Sequence, residues 1–500
     1  MKVEKLWGKR LAKGPAPLAA RFTSGRDVRG ILPADEKLIP YDLRGSRAHV
    51  VMLAKQKILP GKVARTLIGG LKGIEDSWEK GGFQLDPAKE DVHSNIESYL
   101  ISKYGIEIGG RVHTARSRND QVALDMRLYL KDCALDFGSS ISLFVDALLR
   151  HGKREKETIM PGYSHHQPAQ VTTLGHIWLS FGEALLRDGG RFKEWYGRFN
   201  QNPLGAMTGY STSFAIDRNL TSRLLGFDGP CVNSLDPIQG RWEAEAEMAF
   251  AITIMMNHMS SLAQTLIIMS TQEFGMFLLD DAYCSGSSMM PQKRNPDPLE
   301  IIKGKAAVAQ GILVSLTSIG RSLFLGYNRD TQWSKYLIMD LTEECLPCLG
   351  IMSEVVGSLR SRKEKMVSLS SKGFIGAPDL VESLVQEGGL PFRKAKIAVE
   401  KAVRYSEAEG LEKVSFGALE RALKEEGINL QIGEKFVLES QKAEHIVSRR
   451  KTIGGTSRQA LERNIVSLEG RLQDMRKWLL QKRKQENRAK NLLAEIERDI

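Results

Sequence analysis

The sequence has few cysteines, no long uninterrupted apolar run and no apolar segment at its start. Five cysteines in 500 residues are an odd number, which is not typical of a disulfide scaffold. The most apolar stretch, residues 248–269, is interrupted by Asn257 and His258, so we expect a buried helix rather than a membrane span. Residues 1–7 contain no apolar signal run, and we therefore expect a cytoplasmic protein.

Motifs for common cofactors and metals are also missing from the sequence. It contains neither the G-x-x-x-x-G-K-[ST] phosphate loop nor the glycine fingerprint of dinucleotide-binding folds. Cys345 and Cys348 form a single C-x-x-C pair that lacks the two further ligands of a structural zinc site, and we expect two packed thiols. His165 and His166 have no third ligand at a recognisable spacing. We therefore expect catalysis that uses no metal and no cofactor.

The charge of the chain is strongly positive. It has 71 lysines and arginines against 60 acidic residues, a formal net charge of +11. Such an excess is typical of nucleic-acid-binding proteins or of basic enzymes that handle anionic metabolites. Much of it lies in residues 2–13 and 476–490, and neither zinc-finger spacing nor an RNA-binding signature accompanies it. We favour a solvated basic surface and expect no nucleic-acid partner.

Helical periodicity dominates the chain, and alternating strand patterns are scarce. Beyond Gln121, apolar residues recur three or four positions apart towards Pro161, which places them on one face of a long helix. Further helices are predicted over residues 172–200, 241–271, 299–318 and 337–360, with shorter ones over residues 379–386, 392–410 and 415–426. Long helices joined by polar loops favour an all-α fold built around an elongated bundle.

Five hundred residues are more than one hydrophobic core normally serves. We predict a mixed, mainly helical N-terminal domain over residues 1–115 and a central long-helix bundle over residues 116–367. A small helical C-terminal domain is predicted over residues 368–500, beginning with a linker at residues 368–376. The hydrophobic share of 42% and the charged share of 26% exclude a mainly disordered chain.

Residues 461–500 carry a separate pattern. Apolar residues alternate spacings of four and three as far as Leu479, which is the a/d pattern of a coiled coil, and Lys482 and Glu486 then interrupt the seam. The segment is either a helix packed on its own domain or a zipper between subunits. We expect the part up to Leu479 to pack on the C-terminal domain. Residues 484–500 should project and be dispensable for catalysis.

Residues 286–296 form a polar loop suited to binding an anion. The sequence Gly-Ser-Ser offers hydroxyls and free backbone N–H groups, from which an anion-binding nest can be built. Lys293 and Asn295 add a cation and an amide donor, and Glu300 follows in the predicted helix. A surface loop rich in turn residues is the alternative, but it explains the density of donors beside Met289 poorly.

Two further polar segments flank the first long helix. Residues 113–121 place Arg118 and Asn119 at its start, where the helix dipole and unpaired N–H groups favour a carboxylate. A charged helix cap is the alternative. Residues 161–170 place His165 between two core helices, where a lone histidine is more often structural. A preceding hydroxyl and two following glutamines favour a functional site.

These three segments resemble the argininosuccinate lyases of the fumarase/aspartase superfamily. Residues 286–296 match the superfamily signature G-S-S-x-M-P-x-K-x-N-P, which is shared across several substrates and indicates the reaction type. Residues 113–121 match H-T-x-R-S-R-N-D-Q, which is characteristic of the argininosuccinate lyase branch. Residues 161–170, 202–205, 327–330 and 449–455 add to the match. The resemblance covers about residues 20–465 and leaves the basic tail outside.

The resemblance implies a fold, an assembly and a reaction. The fold is all-α in three domains, and the long helices of four subunits form the central bundle of a homotetramer. Each active site takes residues from three subunits. The implied reaction is the β-elimination of argininosuccinate to L-arginine and fumarate, a step of arginine biosynthesis.

The same resemblance assigns roles to individual residues. Ser287 would be the base, activated by the loop N–H groups and Lys293, and His165 would protonate the departing nitrogen. Glu300 would pair with His165, and Lys293 and Asn295 would hold the carboxylate that gains charge. The implied substrate-binding residues are Arg118, Asn119 and Ser164 for the succinyl carboxylates, Tyr327, Gln332 and Lys335 for the arginine portion, and Asp91 and His93 at the lining of the site.

The chain departs from the family pattern at several positions. Ser164 stands where threonine is usual, and Ala115 where glycine is usual. Trp333 and Ser334 replace two acidic residues, and residues 24–25 align poorly with a substrate-binding loop. One alternative is therefore a related carbon–nitrogen lyase that acts on another N-substituted aspartate. A non-catalytic protein on the same fold is a second alternative, against which the retained signature residues argue.

Overall fold

The computed structural model describes residues 16–24 and 34–500. Its α-helices are α1 Pro17–Ser24, α2 Ala34–Lys55, α3 Gly61–Glu79, α4 Val92–Tyr104, α5 Ile106–Gly109, α6 Arg118–Arg154, α7 Leu174–Phe199, α8 Arg218–Leu225, α9 Asp236–Gln239, α10 Glu243–Ser270, α11 Asp297–Ile319, α12 Gln332–Ser358, α13 Lys363–Leu369, α14 Ala377–Gln386, α15 Phe392–Ala408, α16 Phe416–Glu425, α17 Glu434–Ser440, α18 Ala443–Arg449 and α19 Arg458–Asp499. Short 3-10 turns lie at Pro87–Lys89, Gly110–His113, Asp281–Tyr283 and Arg329–Thr331. The N-terminal basic arm and most of the aligned substrate loop lie outside the described residues.

The predicted all-α class is confirmed. The described strands form two-stranded sheets only: β1 Ile159–Ser164 with β2 Gln167–Thr173, β3 Gln201–Asn202 with β4 Gly229–Pro230, and β5 Phe277–Leu278 with β6 Arg360–Ser361. The antiparallel β1–β2 hairpin was not predicted from the sequence. It pairs Ile159 with Thr173 and Ser164 with Gln167, and it projects from the junction of α6 and α7.

Five long helices, α6, α7, α10, α11 and α12, form the central bundle, as the periodicity predicted. Helix α6 begins at Arg118 because Ser117 is its N-cap and Asp120 completes a capping box. Between α6 and α7 the rings of Phe137 and Phe192 stack with centroids 4.9 Å apart. The predicted bounds of these helices differ from the observed ones by up to five residues at their starts, since helix termini depend on caps more than on periodicity.

Helix α10 contains the apolar stretch seen in the sequence. By length and composition it is the one helix, within the described ranges, that could cross a membrane. Its Met248, Met255 and Met259 are buried where it packs against α7, α11 and α12. The expectation of a buried bundle helix is therefore confirmed for the face of α10 that carries these methionines.

Cys345 and Cys348 lie on α12 with 1% and 0% of their surface exposed. Both are buried in the main core and are not joined in a disulfide, which confirms the expectation of packed side chains. Burial raises the pKa of the Cys345 thiol well above its ordinary value. The Cys345 thiol is therefore poorly suited to act as a nucleophile at neutral pH.

The small C-terminal domain has a core of its own. Helices α14, α15, α16 and α17 bury Leu380, Leu384, Val399, Leu419 and Val437 against one another. The predicted linker region contains the end of α13 followed by turns before α14. The domain boundaries given above remain predictions.

The predicted placement of the C-terminal tail is wrong, whereas its dispensability for catalysis stays a prediction. Helix α19 packs along α6 and α7, and further along against α8 and α2, so it belongs to the central core rather than to the C-terminal domain. Two glycines allow the close approach: a Cβ added at Gly138 would lie 2.9 Å from Leu479, and one at Gly182 would lie 2.9 Å from Leu468. The a/d seam predicts one buried helix face but does not specify its partner.

Glu486, which we expected to weaken the seam of the tail helix, lies in a buried cluster of charged residues. Glu486 pairs with Lys131 of α6 at 2.7 Å and with Arg44 of α2 at 3.2 Å. Closer to the end, Glu497 pairs with Arg47 at 2.8 Å. Because these acidic side chains meet buried or half-buried cations, residues 484–500 are docked and do not project.

Candidate active site

The N-terminal ends of α4, α6 and α12 meet α2 around a polar pocket of about 130 Å³, which we call the main pocket. It is lined by Asp35, Leu38, Glu90, Asp91, His93, Arg118, Asn119, Val122, Arg241, Tyr327, Arg329, Gln332 and Lys335. Every predicted substrate-binding residue except Ser164 and Asn295 therefore lies in this lining. The pocket mixes arginine and lysine with carboxylates, as a zwitterionic ligand would require.

Arg118 is fixed at one side of the main pocket by two carboxylates. Its Nη1 donates to Asp91 Oδ2 at 3.0 Å and to Glu90 Oε2 at 3.1 Å. Asp91 is also the N-cap of α4, where its Oδ1 accepts the Ser94 N–H at 2.8 Å. The arginine is therefore oriented by the same residue that begins the neighbouring helix.

His93 is held from behind the pocket by buried acids that the sequence analysis missed. Its Nδ1 lies 3.0 Å from Asp42 Oδ1 and 3.7 Å from Asp125 Oδ2. Burial acts to raise the pKa of Asp42, but the charge of His93 and its hydrogen bond outweigh this effect and lower it. Burial raises the pKa of Asp125 well above its ordinary value, and neither of its oxygens has a hydrogen-bond partner among the described residues.

The ligand atoms of Asp42, His93 and Asp125 lie within 4.8 Å of one another, which is a spacing that could hold a metal ion. A hydrogen bond between His93 and Asp42 explains the geometry of that pair, with Asp125 beside it. Asp42 Oδ1 also accepts from Gln121 Nε2 at 3.2 Å, so this oxygen already has two donors. With Nδ1 committed to Asp42, His93 keeps Nε2 for the pocket that it lines.

The opposite side of the main pocket is formed by the start of α12. Lys335 is buried and forms an ion pair with Asp35 of α2, and Gln332 lies one turn before it. Of the two departures from the family, Ser334 is buried and donates to the Thr331 carbonyl at 2.8 Å. Trp333 is 64% exposed, and neither residue lines the main pocket.

The loop of residues 286–296 is closed by an antiparallel bridge. Ser285 N–H donates to the Asn295 carbonyl at 2.9 Å, and Asn295 N–H returns to the Ser285 carbonyl at 2.8 Å. Within the loop, Ser287 Oγ accepts the N–H groups of Met289 at 3.3 Å and Met290 at 3.0 Å. The backbone donors expected around this hydroxyl are therefore present, with Lys293 exposed on the same loop.

Ser164 and His165 stand exposed at the tip of the β1–β2 hairpin. The two turn residues, His165 and His166, both have positive φ, at 52° and 61°. This conformation suits glycine or asparagine in two-residue hairpin turns. Ser164 also lines a second cavity of about 950 Å³, shared with the segment from Arg449 to Thr456.

The candidate residues thus fall into three separate sets within one chain: the main pocket, the loop and the hairpin tip. Glu300 is exposed on the first turn of α11. Throughout residues 16–24 and 34–500, no hydrogen bond or ion pair joins His165 to Glu300 or to Ser287. The expected pairing of His165 with Glu300 is therefore not formed inside a single chain.

Comparison with known proteins agrees with the motifs. The sequence matches the Lyase family over residues 31–311. It is 38% identical to the argininosuccinate lyase of Syntrophotalea carbinolica over 459 residues, covering 90% of this chain and 97% of that protein. The argininosuccinate lyase of Hahella chejuensis is 38% identical over 463 residues, covering 93% and 96%.

The chain belongs to the argininosuccinate lyase family. The resemblance seen in the sequence is thereby confirmed, and the protein is a lyase. A crystal structure of EDDS lyase in complex with formate is similar with a TM-score of 0.88 at 27% identity, covering 98% of this chain and 97% of that one. A class II fumarase from Schistosoma mansoni, at 16% identity and a TM-score of 0.67, covers 88% and 96% and shows the shared fold alone.

One departure from the argininosuccinate lyase pattern has a clear local cost. Ala115 has a φ of 57°, the left-handed region in which a Cβ is unfavourable and glycine is not. This explains why glycine is usual there in the family. The following Arg116 is buried and donates to Ser46 Oγ at 2.9 Å, which helps to hold the chain in this conformation.

Two family motifs meet at the start of α6. Asp120 Oδ2 accepts the N–H groups of Gly205 at 2.9 Å and Met207 at 2.8 Å. Gly205 has a φ of 87°, and an added Cβ would lie 2.7 Å from Ile216. Burial raises the pKa of Asp120 to about 6. The segment at residues 202–205 therefore supports the helix terminus that carries Arg118.

Two buried charged residues near Tyr327, Arg241 and Glu245, lead to a prediction about how stability depends on pH. The Arg241 guanidinium stacks on the Tyr327 ring at 5.0 Å, and burial raises the pKa of nearby Glu245 from 4.5 to about 7. A carboxyl with a raised pKa keeps its proton in the folded state after the unfolded chain has lost it. This group's contribution to stability therefore falls as pH rises from about 4.5 to about 7.

We expect Glu245→Gln to remove that dependence. Between pH 5 and pH 7.5 the parent should lose roughly 2 to 3 kcal/mol of unfolding free energy that the variant keeps. Urea unfolding of both proteins at the two pH values measures it, and Glu243→Gln serves as a control. An equal difference between variant and parent at both pH values would contradict the prediction.

Proposed function

We propose that the protein catalyses the reversible cleavage of argininosuccinate to L-arginine and fumarate, in arginine biosynthesis in the cytoplasm. The observation that carries the proposal is the main pocket, which gathers the residues matched to the family's substrate segments. Argininosuccinate has three carboxylates and one guanidinium group. Arg118, Arg329 and Lys335 suit the carboxylates, and Asp35 and Asp91 offer carboxylates for a guanidinium.

The chemical difficulty lies in removing a proton from carbon beside a carboxylate. In our mechanism Ser287, as the alkoxide, takes this proton, and the electron pair moves onto the carboxylate. The N–H groups of Met289 and Met290 stabilise the serine oxygen, and Lys293 offsets the negative charge. The pair then returns to form the double bond of fumarate as the carbon–nitrogen bond breaks. His165 delivers a proton to the leaving guanidino nitrogen.

The site of this mechanism is assembled from several subunits of a homotetramer. Supporting this, neither the loop nor the hairpin tip contributes a residue to the lining of the main pocket in one chain. Val308 and Val314 on α11 are 58% and 54% exposed, and Phe250 on the adjacent α10 is 49% exposed. Apolar side chains on such long helix faces favour contact with other bundle helices.

A direct assay tests the proposed activity. Purified protein is mixed with argininosuccinate, and the absorbance of fumarate is followed. Steady production of fumarate with an equal amount of arginine supports the proposal. Absence of turnover by correctly folded tetramer would contradict it.

A related carbon–nitrogen lyase activity is the second candidate. It is favoured by the structural similarity to EDDS lyase, whereas Trp333 and Ser334, which replace an acidic pair of the family, lie outside the lining of the main pocket. Supplying fumarate with a panel of amines and looking for N-substituted aspartates distinguishes the two. A product formed from arginine alone supports argininosuccinate, whereas a product formed only from another amine supports the second candidate.

Shared sites predict complementation between inactive variants. Ser287→Ala and His165→Asn tetramers should each be inactive, but mixed subunits can place an intact Ser287 beside an intact His165. We expect measurable activity to return after the two are mixed, mildly denatured and reassembled. Each variant treated alone is the control. Mixed tetramers that contain both chains and remain inactive would argue for sites built within one subunit.

A further inference from the structure

Glu90 has an unusual backbone conformation at the edge of the main pocket. Its φ and ψ are 71° and −56°, and the Asp91 N–H donates to the Lys89 carbonyl at 2.9 Å. This is the rare and strained form of γ-turn. On either side the chain is fixed, because Asp86 caps the preceding turn and Asp91 caps α4. The strained residue therefore sits between two capped elements.

The strain aims the Glu90 carboxylate at two arginines. Oε2 accepts from Arg118 at 3.1 Å, and Oε1 accepts from Arg329 at 3.0 Å. These hydrogen bonds lower the pKa of Glu90, so the group is a carboxylate at neutral pH. The side chain is about half exposed, so core packing does not hold it there. Strained backbone residues cluster at functional sites, where the structure on either side holds them in place.

We infer that the Glu90 carboxylate occupies the position that a substrate carboxylate takes in the working site, and that Arg329 is a second carboxylate-binding residue beside Arg118. This inference rests on the proposed function for the identity of the ligand. A bound carboxylate has the same charge and the same two acceptor oxygens as Glu90, so it competes for the same guanidinium donors. Glu90 must leave when substrate or fumarate enters.

A carboxylate that substrate must displace and a carboxylate that merely positions the arginines have opposite effects on substrate affinity. An internal competitor weakens substrate binding and speeds product release, whereas a positioning carboxylate improves binding. Release of Glu90 also lets the γ-turn relax, which offsets part of the loss of its ion pairs. The sign of the change in affinity on removing the charge therefore separates the two roles.

The test uses Glu90→Gln in the full-length tetramer. Fumarate binding is measured by calorimetry, and KM and kcat are measured for argininosuccinate. We expect the Kd for fumarate and the KM to fall by roughly two- to tenfold, as expected for loss of a competing exposed ion pair. The value of kcat should change less than KM. Glu97→Gln, which removes a nearby charge outside the pocket lining, is the matched control and should leave both constants unchanged.

Two further variants keep the inference testable. Glu90→Asp retains the charge on a shorter side chain and should give an intermediate affinity, even if Glu90→Gln folds poorly. Arg329→Met should weaken fumarate binding and abolish the gain from Glu90→Gln in the double variant. An increased or unchanged Kd for fumarate in both Glu90 variants would overturn the inference. Tighter fumarate binding in a protein that does not cleave argininosuccinate would instead contradict the proposed function and leave this inference standing.

Discussion

Ser287→Ala is expected to lower kcat for argininosuccinate by roughly a hundredfold or more, the typical loss for a catalytic base. The hydroxyl oxygen accepts two backbone N–H groups in an exposed loop and contributes little packing. We therefore expect the thermal midpoint and the proposed tetrameric assembly to remain nearly unchanged. The measurement is initial fumarate production at saturating substrate, with sedimentation to check assembly.

Ser288→Ala is the matched control for this variant. Ser288 is exposed on the same loop and immediately follows the proposed base. Its replacement should change kcat by less than about threefold, because a surface hydroxyl away from the reacting atoms contributes little. Turnover of Ser287→Ala within threefold of the parent would remove Ser287 from the role of base.

Glu486→Ala is expected to destabilise the protein by about 3 to 5 kcal/mol, the usual cost of removing one partner from a buried ion pair. Lys131 is buried with 1% of its surface exposed, and burial lowers its pKa to about 8 even with Glu486 present. Without that acid, the one hydrogen-bond acceptor left to the lysine within the described part of the chain is the Gly226 carbonyl, at 3.0 Å. The free energy of unfolding in urea is the quantity to measure.

Truncation after Leu479 should have a larger effect than the point change. It removes Glu486 and Glu497 together with the buried apolar face that includes Leu493. We expect loss of soluble, assembled protein. Glu495→Ala, at an exposed position of the same helix, should behave as the parent. A truncated protein with parental stability and activity would restore the earlier expectation of a dispensable tail.

The bundle could be predicted because its signal is local. In α6 and α7 the apolar residues recur with the helical period, and caps such as Ser117 mark where a helix begins. The β1–β2 hairpin was missed because its exposed and buried residues do not alternate, running buried at Ile159 and exposed at Ser164. Its pairing is set by the tight turn between the strands rather than by a strand-like pattern.

The tail shows a different limit of sequence interpretation. Glu486 was taken as a weakness of the seam, since a charge at such a position normally disfavours burial. Its partner Arg44 lies 442 residues away along the chain, and no periodicity within α19 indicates it. Long-range charge pairing of this kind depends on the tertiary fold.

The candidate site likewise contains residues that a local motif predicts and residues that only the tertiary fold reveals. Arg118, Gln332 and Lys335 were found because they stand in recognisable motifs, and the structure brings them to one pocket. Asp42 and Asp125 were missed because each lies inside a regular helix with no motif around it. Both are buried, and their importance becomes visible only when His93 is placed beside them.

The backbone conformation of the hairpin tip affects how the proposed active site would form between subunits. Two successive residues with positive φ, His165 and His166, leave the turn little freedom, because few backbone conformations satisfy both strands. The imidazole proposed to protonate the leaving group is therefore preorganised before the proposed contact with a neighbouring subunit. Association of subunits need not also order this segment, so little conformational entropy is lost at that step.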